Sequence, residues 1–120
     1  MLYMNSFNVK VGKQKEFQAW VKRNEDLFRK LAPEGWTYRG TYAYVYGFGR
    51  FGASMMWEIN KYGDLDTARA YNDPNYVRLF EDMDDFTSEQ PGESVLLREI
   101  GDTRIIEKTT VSESRSRRAR

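Results

Sequence analysis

Four residues are of a type and position that could meet a substrate. Asn5 is the polar exception on the apolar face of an alternating run formed by Tyr3, Phe7, Val9 and Val11. A buried amide finds hydrogen bonds or costs about 1–3 kcal/mol, so Asn5 is either a structural group bonded to backbone or an amide aimed at a substrate carbonyl, phenol or oxygen species. Trp57, beside Glu58, is either core or an aromatic wall for a ligand. Arg39 suits an anionic substrate group or an ion pair. Tyr76 is one of several phenols, with Tyr3, Tyr38, Tyr42, Tyr44, Tyr46 and Tyr71, most of which serve packing or an interface between copies. No two carboxylates have a spacing that marks an acid/base pair, so no catalytic residue is assigned.

The absent residue types narrow the chemistry further. None of the 120 residues is cysteine or histidine. Thiolate nucleophiles, Cys-ligated zinc, iron–sulfur clusters, His-ligated haem and Ser-His-Asp machinery are excluded. Oxygen ligands alone would favour magnesium or calcium, and no EF-hand loop is present to hold either. The sequence therefore calls for no metal and no cofactor. Gly47-Phe48-Gly49-Arg50-Phe51-Gly52 matches a dinucleotide fingerprint letter for letter. That motif needs a helix to start there, with its N-terminus facing the pyrophosphate. The next residues, Ala53 to Ile59, read as a strand, so the glycines mark a hairpin.

These residues are positioned by a simple series of elements. Leu2 to Val11 alternates as a strand ended by Gly12. Lys13 to Leu31 changes to helical spacing, with Phe17, Trp20, Val21, Phe28 and Leu31 inward and Leu27 widening the stripe. Pro33-Glu34-Gly35 stops it. From Trp36 to Tyr46 every even position except Gly40 is aromatic, which predicts a strand with one ring-lined face. Leu65 to Tyr71 is a short helical run. Asp73-Pro74 restarts a helix, Asp73 as cap and Pro74 at the first turn, with Tyr76, Val77, Phe80, Met83 and Phe86 as its buried stripe. Ser94 to Ile100 is the fourth strand, and Thr103 to Thr110 a candidate extension.

The order β-α-β-β-α-β predicts an α+β, ferredoxin-like domain over residues 1–111: a four-stranded antiparallel sheet with helices on one face. The strands carry apolar or aromatic residues on both sides, Leu2 and Met4 opposite Tyr3 and Phe7, and Met55 and Trp57 opposite Met56. The face left open by the helices therefore needs a cover, which predicts a homodimer joined through sheet faces. The chain resembles the dimeric α+β-barrel superfamily, in its antibiotic-biosynthesis-monooxygenase-like and NIPSNAP-like branches, from about Leu2 to Ile100. The resemblance rests on the element order, the Trp57-Glu58 pair and Asn72-Asp73-Pro74-Asn75-Tyr76 at the start of the second long helix. It implies a pocket between sheet and helices, with Asn5 and Trp57 as its better-placed residues. Asn5 matches the strand-one asparagine of the haem-degrading branch. That branch also uses a tryptophan and a histidine on the second helix; the chain has no histidine, and Ala70 and Phe80 stand at those two positions, which argues against haem degradation.

The expected function is a homodimer that binds a small apolar or aromatic molecule, without assigned catalysis. The alternative is a cofactor-independent monooxygenase of a quinol-type aromatic, in which Asn5 holds the substrate oxygen, Trp57 walls the ring, and Arg39 or a tyrosine such as Tyr76 steadies the anion. No run of about 20 apolar residues crosses a bilayer and no leader is recognisable, so cytoplasmic residence is the expectation. Residues 112–120 form a basic tail with four arginines and one glutamate, read as a solvated end. Charge outside the tail is slightly acidic, which argues against nucleic acid as a partner.

Overall fold

A computed structural model describes residues 1–47 and 49–102. The basic tail and the suggested extension at 103–110 lie outside the described residues. The elements follow in the order β1 (Leu2–Phe7), α1 (Gln14–Leu31), β2 (Trp36–Ala43), β3 (Ala53–Ile59), α2 (Asp64–Ala70), α3 (Pro74–Asp84) and β4 (Glu93–Leu97). The strands form one antiparallel sheet in the order β2-β3-β1-β4, the ferredoxin-like arrangement.

Large aromatic residues at helical spacing dock α1 on the sheet. Phe17, Trp20, Val21 and Phe28 are buried, as their spacing predicts. Phe28 is fully buried at the centre, with its ring stacked 5.2 Å from Tyr38 and edge-on to Trp20, Trp57 and Phe80. Leu27, expected to widen the stripe, is 42% exposed. On α3 the Asp73 carboxylate accepts from the amides of Asn75 and Tyr76, a direct cap. Leu79 and Met83 are its buried residues, with Tyr76, Phe80 and Phe86 partly covered. Val77 points outward, so Leu79 replaces it in the stripe.

The second strand departs from simple alternation. Tyr38 pairs with Trp57 but Gly40 pairs with Met56, leaving Arg39 as an extra residue in a β-bulge. Gly40 adopts φ +131°, and the Tyr42 ring lies where a Cβ at Gly40 would go. The bulge reverses the parity of everything after it. Trp36 and Tyr38 face the helices, whereas Tyr42, opposite Ser54, faces away. The expected single aromatic face is therefore split between two sides of the sheet. The strand also ends at Ala43, though the Tyr44 amide still bonds the Gly52 carbonyl across the hairpin. β1 likewise ends at Phe7, beyond which only Val9 bridges, to Thr87, and Val11 is exposed. β4 stops at Leu97, short of the expected Ile100.

Two contacts close the other end of the sheet. The buried Asp64 carboxylate accepts from the amides of Asn60 and Lys61, and its carbonyl accepts from the Trp36 indole at 2.7 Å. Gly35, at φ +85°, passes so close that a Cβ would lie 2.4 Å from Asp64 Oδ1.

Candidate functional site

The side chains singled out in the sequence fall in separate places. Asn5 lies mid-sheet on the helix face, half-buried, paired across strands with Met55 and Ser94. Its Oδ1 accepts from the Ser94 hydroxyl at 3.3 Å. Trp57 is on the same face but 3% exposed, edge-on between Trp36 and Tyr38. Tyr76 also lies on the helix side, where its ring meets Tyr71 and Phe80. Burial, reinforced by Tyr71 and Tyr3, pushes its phenol up to about 12. Arg39 is elsewhere: it lies on the uncovered face, opposite Tyr38, where it makes a half-buried ion pair with Glu58.

The open space on the helix side is at the hairpin end of the sheet. A cavity of about 600 Å³ separates the first turns of α1 from the β2–β3 hairpin. None of Asn5, Trp57, Tyr76 and Arg39 lines it. Its apolar wall comes from Phe17 and Val21 of α1 and from Ala43 and Ala53, the last residue of β2 and the first of β3. The space exists because two alanines face the helix where larger side chains would fill it. That size is within the range of small-molecule sites.

The polar lining divides into groups already engaged and groups still available. Asn8 bonds twice to the hairpin, its Nδ2 donating to the Arg50 carbonyl and its Oδ1 accepting from the Gly52 amide. It braces the mouth of the cavity and has little left to offer a ligand. The Thr41 hydroxyl is 2.6 Å from the Tyr38 phenol. Glu25 lies 4.0 Å from Arg29 on the next turn. Gln14, Gln18 and Lys22 have no such partner among the described residues. Sequence reading passed over these three because glutamines and lysines at i, i+4 and i+8 look like an ordinary solvated helix edge.

The uncovered sheet face has its own polar cluster. Ser6 and Ser54, both buried, share a 2.6 Å hydrogen bond, and the Tyr44 phenol lies 2.8 Å from Ser54 and 3.4 Å from Ser6. The two serine hydroxyls, Ser54 first, hold that phenol below its usual range. Between this trio and the Arg39–Glu58 pair run Met4, Met56 and Val95, with Leu97 in the row of Glu58.

No family model matches the sequence, and no curated protein matches it. Solved structures do share the fold. A NIPSNAP domain protein from Burkholderia xenovorans is 14% identical, with a TM-score of 0.59 over 85% of this chain and 98% of that one. A NIPSNAP family protein from Agrobacterium tumefaciens is 12% identical, with a TM-score of 0.59 over 86% and 97%. An antibiotic biosynthesis monooxygenase-like protein from Bacteroides thetaiotaomicron is 12% identical, with a TM-score of 0.57 over 89% and 95%. The fold expected from the sequence is thus the fold observed. At this level of identity the likeness concerns architecture alone.

Proposed function

We propose that this protein is a homodimer that binds a small apolar or aromatic molecule in the groove between α1 and the β2–β3 hairpin. The carrying observation is the cavity of about 600 Å³ with Phe17, Val21, Ala43 and Ala53 on its wall and unengaged polar groups on its rim. Burial of an apolar body there gains about 25 cal/mol per Å² of surface removed from water. The test is an NMR titration with 2-naphthamide, a flat neutral probe. Saturable shifts at the amides of Phe17, Ala43 and Ala53 are expected. Ala43→Phe, which fills the groove from a solvent-accessible position, removes them while leaving the fold intact. Shifts that persist in that variant, or none in the parent protein, refute the groove as a ligand site.

The dimer reading rests on the uncovered sheet. Four strands about 4.8 Å apart and five to eight residues long give a planar footprint of about 400 Å² per face. Two such faces approach the roughly 1,000 Å² that a specific interface needs, before side-chain relief is counted. A second copy matches this face in extent and in its mix of methionine, aliphatic and hydroxyl groups.

A second reading, oxygenation of a quinol-type aromatic, draws on the fold shared with the monooxygenase-like protein. It needs Asn5 and Trp57 against the substrate, and Trp57 is enclosed by Phe28, Trp36 and Tyr38. Binding is therefore the preferred reading. Oxygen uptake with a quinol, lost in Asn5→Ala and Trp57→Phe, would reverse that preference.

A further inference from the structure

The groove's rim carries a directional pattern of charge. Gln14, Gln18 and Lys22 follow one another at four-residue steps along α1, and all three line the cavity. Each step advances about 6 Å, so the row spans about 12 Å from the first amide to the ammonium group's helical position. Two other charged or strongly polar neighbours are already committed. Glu25 is drawn to Arg29 at 4.0 Å, and both amide atoms of Asn8 are spent on the hairpin. Lys22 makes no ion pair among the described residues, whereas Lys13, at the N-cap of the same helix, pairs with Glu16 at 3.6 Å. The groove thus has an apolar wall, two neutral amides near one end and, near the other, Lys22 beside Glu25, of which Glu25 leans to Arg29 and Lys22 has no ion pair among the described residues.

We infer that the ligand of this groove is an amphipathic organic anion: a flat apolar body about 6–12 Å long whose carboxylate or phenolate lies at Lys22 and whose far end hydrogen-bonds Gln14 or Gln18. The inference rests on the groove being a ligand site and goes beyond it by fixing the ligand's charge and orientation. The lysine stem covers apolar surface at the rim while its ammonium group stays wet, so it can meet an anion without the cost of full burial. The alkyl part of the stem is also why Lys22→Met is the informative substitution, since it keeps the packing and removes only the charge.

The experiment compares 2-naphthoate with 2-naphthamide, which have the same ring and differ in charge. The parent protein is expected to bind naphthoate about tenfold more tightly, the size of one charge-assisted contact. Lys22→Met brings naphthoate down to the affinity of naphthamide and leaves naphthamide unchanged. The preference also narrows as salt is raised, because the contact is at a wet rim. Equal affinity for the two probes in the parent protein overturns the inference while leaving the groove as a binding site. So does a naphthoate preference that survives Lys22→Met. If neither probe binds, the groove itself fails, and the inference with it.

Discussion

The Tyr38 phenol, 3% exposed beneath α1, is pushed up to about 12 by burial, against the lowering effect of its hydrogen bond to Thr41. In the unfolded chain the same group ionises near its ordinary value of about 10. Stability that depends on the neutral phenol is therefore complete below about pH 10 and lost as pH rises through about 12. Tyr76, raised to about 12 by burial and by its neighbours Tyr71 and Tyr3, acts in the same direction. Urea unfolding at about pH 9 and about pH 11 should differ by on the order of 1 kcal/mol for Tyr38, and by less for the more exposed Tyr76. Tyr38→Phe should flatten that dependence, and a parent protein equally stable at both values would contradict the account. A second residue-scale prediction concerns Gly35. Alanine there would be forced into a left-handed conformation with its Cβ against the Asp64 carboxylate. A loss of at least about 2 kcal/mol is expected in thermal or urea unfolding, and a smaller loss would mean that the Asp64 loop gives way.

At the scale of elements, α3 depends on its first turn. Asp73→Ala removes the acceptor shared by two amides and should cost about 1 kcal/mol, with Asp73→Asn restoring most of it. Thermal unfolding of the two variants distinguishes capping from general surface change. This helix start was legible in the letters Asp73-Pro74. So was the inner face of α1, because only a helical repeat brings large aromatics at three- and four-residue spacing onto one side. The faces of β2 were not legible. Period-two counting assumes an unbroken ladder, and the extra Arg39 breaks it between Tyr38 and Gly40. The isolated glycine in an otherwise aromatic strand was the available signal, since glycine inside a strand commonly marks a bulge. The groove was hidden for a different reason. It is made by what is small, Ala43 and Ala53, on separate strands, and only pairing in the sheet brings those alanines opposite one another.

For the whole molecule, the uncovered face predicts assembly. Met56, half-exposed on β3 between Met4 and Gly40, is flanked on both sides by strands, so a charge there would meet the partner sheet near its centre. Met56→Lys is expected to convert a dimer to a folded monomer, read as a halved mass by light scattering with an unchanged circular-dichroism spectrum. A parent protein that is already monomeric would remove the sheet-to-sheet arrangement. No helix among the described residues is long and apolar enough to cross a membrane. The bulge at Arg39 also bears on how chains of the same fold can be matched to this one. A chain of this fold with a regular second strand would have one residue fewer there, and ungapped alignment would set its inward residues against outward ones from Gly40 onward. Placing a single gap at position 39 restores the frame, so strand two can be compared residue by residue with structures that share the fold at 10–14% identity only once that one extra residue is allowed for.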